Sequence, residues 1–195
     1  LRDWRKMADG VGVGKENAKS DSGAVMILTI RNLVALMMLV LVAACSSPPP
    51  SKFKTYNGPP VTQVVVKKSE RQMFLLSGQK VLKAYQVGLG PQPVGHKMFE
   101  GDGRTPEGIY YINRQNPNSQ YHLSLGISYP NTEDAARAMM LGQQPGGDIM
   151  IHGRGPYGNK QTLRDWTAGC IAVNDDEMED IFSMVRPGVP IVIYP

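Results

Sequence analysis

From residue 61 onward, the chain consists of short apolar segments separated by turns that often contain Gly or Pro, a pattern typical of a sheet-based fold. Many of these segments are rich in β-branched residues. We predict strands at residues 61–67, 71–76, 80–89, 109–112, 121–128, 148–152, 170–173 and 190–194. Two segments have helical patterns, residues 131–140 with Asn131 or Thr132 as N-cap and residues 174–185 with Asn174 as N-cap. The expectation is one mainly β domain with two short peripheral helices.

The residues before this domain resemble a secretory leader. An apolar run at residues 33–44 follows a short positive segment that begins at Met26, and the run is too short to span a bilayer. Cys45 comes directly after two alanines, which resembles a bacterial lipoprotein signal with a lipidated cysteine. We therefore expect a lipoprotein signal peptide at residues 26–44, a lipid on Cys45, a Ser/Pro-rich tether at residues 45–60 and the folded domain at residues 61–195. An uncleaved membrane anchor with an incidental cysteine is the alternative.

Residues 1–25 do not fit such a leader. Asp3, Asp9, Glu16 and Asp21 are unusual in the leading segment of a signal peptide, and the chain opens with Leu1. Our hypothesis is that translation begins at Met26 and that residues 1–25 are an upstream extension outside the natural product.

A cysteine and a histidine lie close together in the C-terminal part of the chain. His152 and Cys170 are eighteen residues apart, each at the edge of a short apolar segment. A thiol is a good nucleophile only as the thiolate, so a histidine that can take its proton suggests covalent acyl chemistry. If Cys45 carries a lipid, Cys170 has no intrachain disulfide partner, and an unpaired extracytoplasmic thiol is a reactive candidate. A buried, inert cysteine is the alternative.

Four sequence motifs occur in the order found in a known family. They are residues 101–108 (GDGRTPEG), 125–131 (LGISYPN), 151–153 (IHG) and 165–171 (DWTAGCI). Together they resemble the L,D-transpeptidase catalytic domain, the YkuD family, over residues 61–194. The resemblance implies a β-sandwich fold with short peripheral helices. It also implies an enzyme of the bacterial cell wall, similar to the murein L,D-transpeptidases of Gram-negative bacteria.

The resemblance implies a role for individual residues of the last two motifs. Cys170 would be the nucleophile, and His152 would be the general base and acid. The backbone N–H groups of Gly169 and Cys170 would form the oxyanion hole. The carbonyl of Gly153 would hold the second ring nitrogen of His152 and so fix its tautomer. Thr167, where the family usually has Ser, either hydrogen-bonds within the turn or is a structural turn residue.

Two positions depart from the commonest motif of the family. Ala168 stands where the family has His, two positions before the nucleophile, and Ala172 stands where it has Arg, two positions after. The missing Arg removes a permanently charged group that could hold a carboxylate. The acceptor of the acyl group therefore stays open: an amine would give cross-linking, and water would give trimming or cleavage.

The expected reaction is acyl transfer on peptidoglycan tetrapeptide stems through a cysteine thioester, with no cofactor. The acceptor amine would belong to a neighbouring stem or to a lysine of a wall-linked protein. The alternatives are a hydrolase on the same scaffold, acting as L,D-carboxypeptidase or as an amidase that releases wall-linked protein, and a non-catalytic lipoprotein that binds peptidoglycan. Ser46 after Cys45 resembles an outer-membrane sorting signal, so the expected location is the periplasmic face of the outer membrane.

The remaining polar residues carry weaker signals. His96 is expected to face solvent or to make a loop contact, and His122 is expected to pack on its strand, with a position beside the cleft as the alternative. Neither builds a metal site, because no Cys-x-x-Cys or His-x-x-x-His spacing is present. Asp165 and Trp166 either order the loop before the nucleophile or, in the case of Trp166, line a substrate wall. The formal net charge of +4 comes without a Lys/Arg run, so nucleic acid is not an expected partner.

Overall fold

The computed structural model describes residues 26–35, 37, 51–160 and 164–195. The chain forms two compact units, Leu1–Pro50 and Ser51–Pro195. In the first unit, residues 26–35 are helical and their side chains are exposed. No helix within the described ranges is both long enough and apolar enough to cross a membrane. The predicted upstream extension at residues 1–25, the predicted lipidation site Cys45 and the start of the predicted tether lie outside the described residues.

The second unit is mainly β, as the sequence predicts, and its described residues include eight strands and two α-helices. The strands are β1 (Gln63–Lys67), β2 (Gln72–Ser77), β3 (Lys80–Gln86), β4 (Gly108–Asn116), β5 (Ser124–Ile127), β6 (Met150–His152), β7 (Ile171–Ala172) and β8 (Pro190–Tyr194). The helices are α1 (Thr132–Met140) and α2 (Asp175–Met184), and a 3₁₀ segment covers Gly155–Lys160.

All eight strands belong to one curled sheet, in the order β3-β2-β1-β8-β4-β5-β6-β7. The pairs β1–β8 and β6–β7 are parallel, and the other neighbouring pairs are antiparallel. β4 belongs to both halves of the sheet, since its first residues pair with β8 and its later residues pair with β5. The register shifts between Ile112 and Arg114, which lets β4 bend from one half into the other.

The two ends of the curled sheet are fastened to each other. Just after β3, the amide and the carbonyl of Gly88 bond to the carbonyl and the amide of Ala172 in β7, each at 2.9 Å. A Cβ atom on Gly88 would lie 2.3 Å from the carbonyl oxygen of Arg164, so this approach requires glycine. Consequently β7, which is only two residues long, is held from both sides.

The strands form because alternate side chains enter a shared core. On β1 and β2, Val64 lies opposite Leu75 and Val66 opposite Met73, and all four side chains are fully buried. One cluster of buried apolar residues includes members of both halves of the sheet. The central residues of the β6–β7 pair, Ile151 and Ile171, belong to this cluster, so the core fixes the two strands that flank the site described below.

Both helices begin where the capping residues predict. The Asn131 side chain accepts a hydrogen bond from the N–H of Asp134 at 2.9 Å, and the Asp134 carboxylate accepts one from the N–H of Asn131 at 3.0 Å. At α2, the N–H of Asn174 donates to Glu177 at 2.9 Å. The buried face of α2 packs against β5 and β6, which places the first residue of α2 beside the end of β6.

Some strand boundaries differ from the prediction. β3 ends at Gln86 rather than at residue 89, because the next residues bond to Arg71 and Ala172 instead of continuing the ladder with β2. β5 begins at Ser124 rather than at residue 121, because His122 has a φ of 73°, which does not fit a strand. β4 continues beyond residue 112 because its polar second half pairs with β5.

Candidate active site

His152 and Cys170 lie on neighbouring parallel strands. β6 ends at His152, and Cys170 immediately precedes β7. The register pairs His152 with Ala172, and side chains two residues apart on a strand share one face, so His152 and Cys170 point to the same side of the sheet. Both residues line a cavity of about 400 Å³. The fold therefore brings the two predicted catalytic side chains to one cavity, while their catalytic roles stay a prediction.

The His152 ring is buried, and one of its nitrogens is engaged. Nδ1 lies 2.6 Å from the carbonyl oxygen of Gly153. Because a carbonyl can only accept, Nδ1 carries the proton and Nε2 carries the lone pair. Burial lowers the pKa of the imidazole below its ordinary value, although the Gly153 hydrogen bond and the charge of Asp175 act in the opposite direction. The ring is therefore a neutral base at neutral pH, with its accepting nitrogen defined.

Asp175, the first residue of α2, holds the turn that follows His152. Its Oδ1 accepts hydrogen bonds from the N–H groups of Arg154 at 2.6 Å and Gly155 at 3.0 Å. A Cβ atom on Gly153 would lie 2.4 Å from the same Oδ1. Glycine is thus required at residue 153, because any side chain would move either the carboxylate or the carbonyl that orients His152. Sequence reasoning identified Gly153 but missed Asp175, whose only local signal is its place at a helix start.

Cys170 is a half-buried free thiol. Its Sγ donates to the carbonyl oxygen of Asp148 at 3.5 Å. Burial raises the pKa of the thiol above its ordinary value, and a hydrogen bond from the Met150 backbone offsets only part of this rise. Within the described residues, no hydrogen bond joins the thiol to the His152 ring. At neutral pH the cavity therefore holds a neutral thiol and a neutral imidazole, and any reaction of the sulfur as a thiolate requires the thiol proton to move.

The turn before Cys170 is held by two threonine hydroxyls. The hydroxyl of Thr167 donates to the carbonyl of Cys170 at 2.7 Å and accepts from the N–H of Gly169 at 3.2 Å. The hydroxyl of Thr105 donates to the carbonyl of Gly169 at 2.9 Å. Gly169 has a φ of 127°, and a Cβ atom there would lie 2.5 Å from the carbonyl oxygen of Arg104. Thr167 thus hydrogen-bonds within the turn, which was one of the two roles expected for it. The sequence did not suggest the contact between Thr105 and this turn.

Three aromatic side chains form one wall of the cavity. The Tyr121 ring lies 4.5 Å from the His152 ring, centroid to centroid, and stacks on Tyr157 at 5.7 Å. Trp166 meets the His152 ring edge-on at 5.7 Å and lies 5.8 Å from Tyr157. This aromatic wall gives the cavity an apolar side next to the base. Tyr121 lies in the turn before β5, although the sequence placed it in a strand, and Tyr157 lies in the 3₁₀ segment. The sequence analysis assigned neither tyrosine to the site.

The sequence left open whether Asp165 and Trp166 order the loop before Cys170 or whether Trp166 lines a substrate wall. The Asp165 carboxylate pairs with Arg71 at 2.7 Å and accepts from the N–H of Leu89 at 3.0 Å. The Arg71 guanidinium and the Leu89 amide hold the pKa of Asp165 below its ordinary value against the opposing effect of burial. Asp165 therefore orders the loop, and Trp166 lines the cavity.

The other histidines make structural contacts. The N–H of Glu107 donates to Nδ1 of His96 at 3.0 Å, and His96 Nε2 lies 3.0 Å from Asp134. Nε2 of His122 lies 2.9 Å from Glu179. No group of three His, Cys, Asp or Glu side chains in the described ranges could hold a metal ion.

A larger cavity, of about 820 Å³, lies between α1 and the loop that contains His96. It is lined by neither His152 nor Cys170. Of its charged lining residues, Asp134 pairs with Arg137 and with His96, and Glu107 pairs with the buried Lys68. The larger cavity is not the candidate site, because the predicted nucleophile and the predicted base both line the smaller one.

Comparison with known proteins agrees with this fold. The YkuD family model, the L,D-transpeptidase catalytic domain, matches residues 62–193. The curated protein "Putative L,D-transpeptidase YafK" of Escherichia coli strain K12 is 32% identical over 138 residues, which cover 66% of this chain and 47% of YafK. The chain thus spans about half the length of the curated relatives it matches.

Solved structures show the same fold. A mutant of the helical cell shape determining protein Pgp2 from Campylobacter jejuni matches with a TM-score of 0.54 and 26% identity, over 71% of this chain and 48% of that chain. Pgp2 itself matches with a TM-score of 0.54 and 24% identity, over 75% of this chain and 51% of that chain.

Proposed function

The chain belongs to the L,D-transpeptidase catalytic domain family, and from this premise we propose that it is a cysteine acyltransferase acting on peptidoglycan tetrapeptide stems. One observation carries the proposal. The Gly153 carbonyl fixes the proton of His152 on Nδ1, so that the accepting Nε2 belongs to a ring in the same cavity as the Cys170 thiol. A pure binding module has no use for a free thiol and an oriented neutral base in one cavity.

In the first half-reaction, the sulfur of Cys170 attacks the carbonyl carbon of the diaminopimelate residue in the stem. The thiol proton passes to Nε2 of His152 as the C–S bond forms. The carbonyl oxygen becomes an oxyanion, which the backbone N–H of Cys170 stabilises. The C–N bond to the terminal D-Ala then breaks, the imidazolium gives its proton to the leaving amine, and a thioester remains.

In the second half-reaction, an amine attacks the thioester and the thiol is regenerated. His152 takes a proton from the amine and returns it to the sulfur, so the enzyme ends as it began. The amine belongs to the diaminopimelate of a neighbouring stem or to a lysine of a wall-linked protein. The aromatic wall of Tyr121, Tyr157 and Trp166 offers the leaving and entering groups an apolar surface beside the base.

A hydrolase is the second candidate, with water in place of the amine. The observation that favours it concerns position 172. Ala172 is buried and bonded to Gly88 on both its backbone groups, and the described lining of the cavity includes no cationic side chain that could hold a carboxylate of an incoming stem. Water needs no such anchor. The products would then be trimmed stems or released wall-linked protein.

The proposed location rests on the residues before the domain. We propose that Cys45 carries a lipid that tethers the domain to a membrane on the periplasmic side, in the outer membrane of a Gram-negative cell. The support is the sequence around Cys45, with the apolar run before it and Ser46 after it. Peptidoglycan stems are found in that compartment, and a thioester mechanism conserves the amide's energy without ATP.

Incubation with purified disaccharide-tetrapeptide tests the activity. Mass spectrometry of the intact protein should find an acyl adduct on Cys170, and product analysis identifies the acceptor. A cross-linked dimer indicates a transpeptidase, and tripeptide alone indicates a carboxypeptidase. Cys170→Ser and His152→Ala are the controls. If no adduct and no product depends on Cys170, both candidate activities are wrong.

A further inference from the structure

We propose that Thr105 is a positioning residue for the oxyanion hole, acting through the Gly169–Cys170 peptide unit. This inference rests on the proposed acyl transfer and adds to it a residue that lies 64 positions from Gly169 in the sequence. Thr105 is fully buried. It acts on the site through the backbone of the turn.

The proposal depends on the orientation of the Gly169–Cys170 peptide unit. The hydroxyl of Thr105 donates to the carbonyl oxygen of Gly169 at 2.9 Å. In a trans peptide the C=O and the following N–H point in opposite directions. Holding the Gly169 carbonyl on Thr105 therefore directs the Cys170 N–H away from it. The N–H of Gly169 is already engaged by Thr167, so the Cys170 N–H is the donor whose direction matters most for an oxyanion.

The turn and the segment around Thr105 are in backbone contact, which makes this coupling stiff. A Cβ atom on Gly169 would lie 2.5 Å from the carbonyl oxygen of Arg104. A Cβ atom on Gly90 would lie 2.0 Å from the carbonyl oxygen of Gly103 and 3.2 Å from the N of Gly169. Since no side chain separates the two segments, a shift of Thr105 moves the Gly169–Cys170 peptide directly.

Thr105 is itself anchored by a buried lysine. The Nζ of Lys68 donates to the carbonyl of Thr105 at 2.9 Å, to the carbonyl of Gly95 at 2.6 Å and to the carboxylate of Glu107 at 2.7 Å. The Lys68 side chain is only 2% exposed. All three ammonium protons are therefore used, and the segment that carries Thr105 is tied to the turn between β1 and β2.

Packing alone does not explain a hydroxyl at residue 105. Valine has nearly the same shape, and a buried hydroxyl is unfavourable unless it is hydrogen-bonded. The hydrogen bond to the carbonyl of Gly169 offsets the cost of burying the hydroxyl. It also gives that carbonyl a donor, which it would otherwise lack within the described residues. The function of the hydroxyl is thus to set the direction of one peptide plane.

The test compares two reactions of the same sulfur in Thr105→Val. Acylation by disaccharide-tetrapeptide builds an oxyanion, whereas alkylation by iodoacetamide does not. We expect the single-turnover acylation rate to fall about 10-fold or more, since removing an oxyanion donor outright costs about 100-fold to 1,000-fold in kcat. The alkylation rate at pH 9 should stay within about twofold of wild type, because no oxyanion needs support there.

Three further variants make the test decisive. Thr105→Ser keeps the hydroxyl and should restore most of the acylation rate, and Thr105→Ala should behave like Thr105→Val if the latter folds poorly. Thr62→Val is the matched control, because the Thr62 hydroxyl also donates to a backbone carbonyl, that of Leu76, but on the exposed surface. Thermal melts confirm that each variant is folded.

Each outcome has one meaning. An unchanged acylation rate in Thr105→Val overturns the proposal, and so does an equal loss of acylation and alkylation, which would mean that Thr105 supports the thiol or the fold. A Thr105→Ser variant as slow as Thr105→Val also overturns it. Absence of acylation in the wild-type protein contradicts the proposed function itself, and that failure is visible before any variant is made.

Discussion

The protonation of the resting site leads to a quantitative prediction about Cys170. Burial raises the pKa of its thiol and lowers the pKa of His152. A thiolate–imidazolium pair would require the opposite shifts, with a lowered thiol pKa and a raised imidazole pKa. The structure therefore predicts that alkylation of Cys170 increases with pH through the neutral range and does not level off there.

The size of the effect follows from the ordinary thiol pKa of 9.0. With a pKa above that value, the thiolate fraction is below about 1% at pH 7 and below about 10% at pH 8. The alkylation rate should therefore rise about tenfold from pH 7 to pH 8 and should still be rising at pH 9. The His152 base, in contrast, is neutral down to below its ordinary pKa of 6.5. Acylation should thus persist at pH 6.5 and be lost only as the pH falls through the lowered pKa.

Iodoacetamide kinetics between pH 6 and pH 10.5 measure the thiol titration. The Cys45→Ser background makes Cys170 the only cysteine in the chain. His152→Ala is the informative companion. It should change the alkylation rate at pH 9 by less than about threefold, because the thiolate forms there without help, yet it should remove acylation at pH 7. A plateau of the wild-type alkylation rate at or below pH 8 would refute the neutral-pair reasoning.

Three other variants test separate parts of the structure. Gly153→Ala places a Cβ atom 2.4 Å from the Asp175 carboxylate and should slow acylation on the order of 100-fold by displacing the His152 orienter; unchanged single-turnover kinetics would contradict this. Lys68→Met leaves Glu107 and two carbonyls without their donor, which should cost about 3–5 kcal/mol of unfolding free energy. Calorimetry should then show a melting temperature lowered by roughly 6–20 °C, and a shift below about 2 °C would show that the burial is inconsequential. Cys45→Ser should move the protein from the membrane fraction to the soluble fraction; retention on membranes would count against the lipid anchor.

Local patterns carried most of the fold prediction. Short apolar segments bounded by turns marked β1 and β2, and Asn131 and Asn174 marked the starts of both helices, because these signals depend on neighbours within a few positions. The pair of His152 and Cys170 was visible from residue chemistry and from the motifs around them. Their shared cavity, however, depends on the parallel pairing of β6 and β7, which no local pattern encodes.

The supports of the site were not predictable in the same way. Thr105 reaches Gly169 across 64 positions, and Arg71 reaches Asp165 across 94 positions. A lysine such as Lys68 is expected at the surface, and only the carbonyls and carboxylate supplied by distant segments make its burial tolerable. Such contacts are products of the closed sheet, so they appear only once the whole chain is folded.

The resting protonation state has a consequence for chemical durability. Peroxide oxidation and disulfide exchange both proceed through the thiolate. A cysteine that stays protonated until a substrate carbonyl arrives is therefore a poor target for both reactions, even when it is the sole thiol of the folded unit and its surroundings are oxidising. The burial that slows simple alkylation of Cys170 thus also protects its thiol from oxidation. Under the proposed mechanism, the sulfur becomes reactive only where His152 and an oxyanion donor act together.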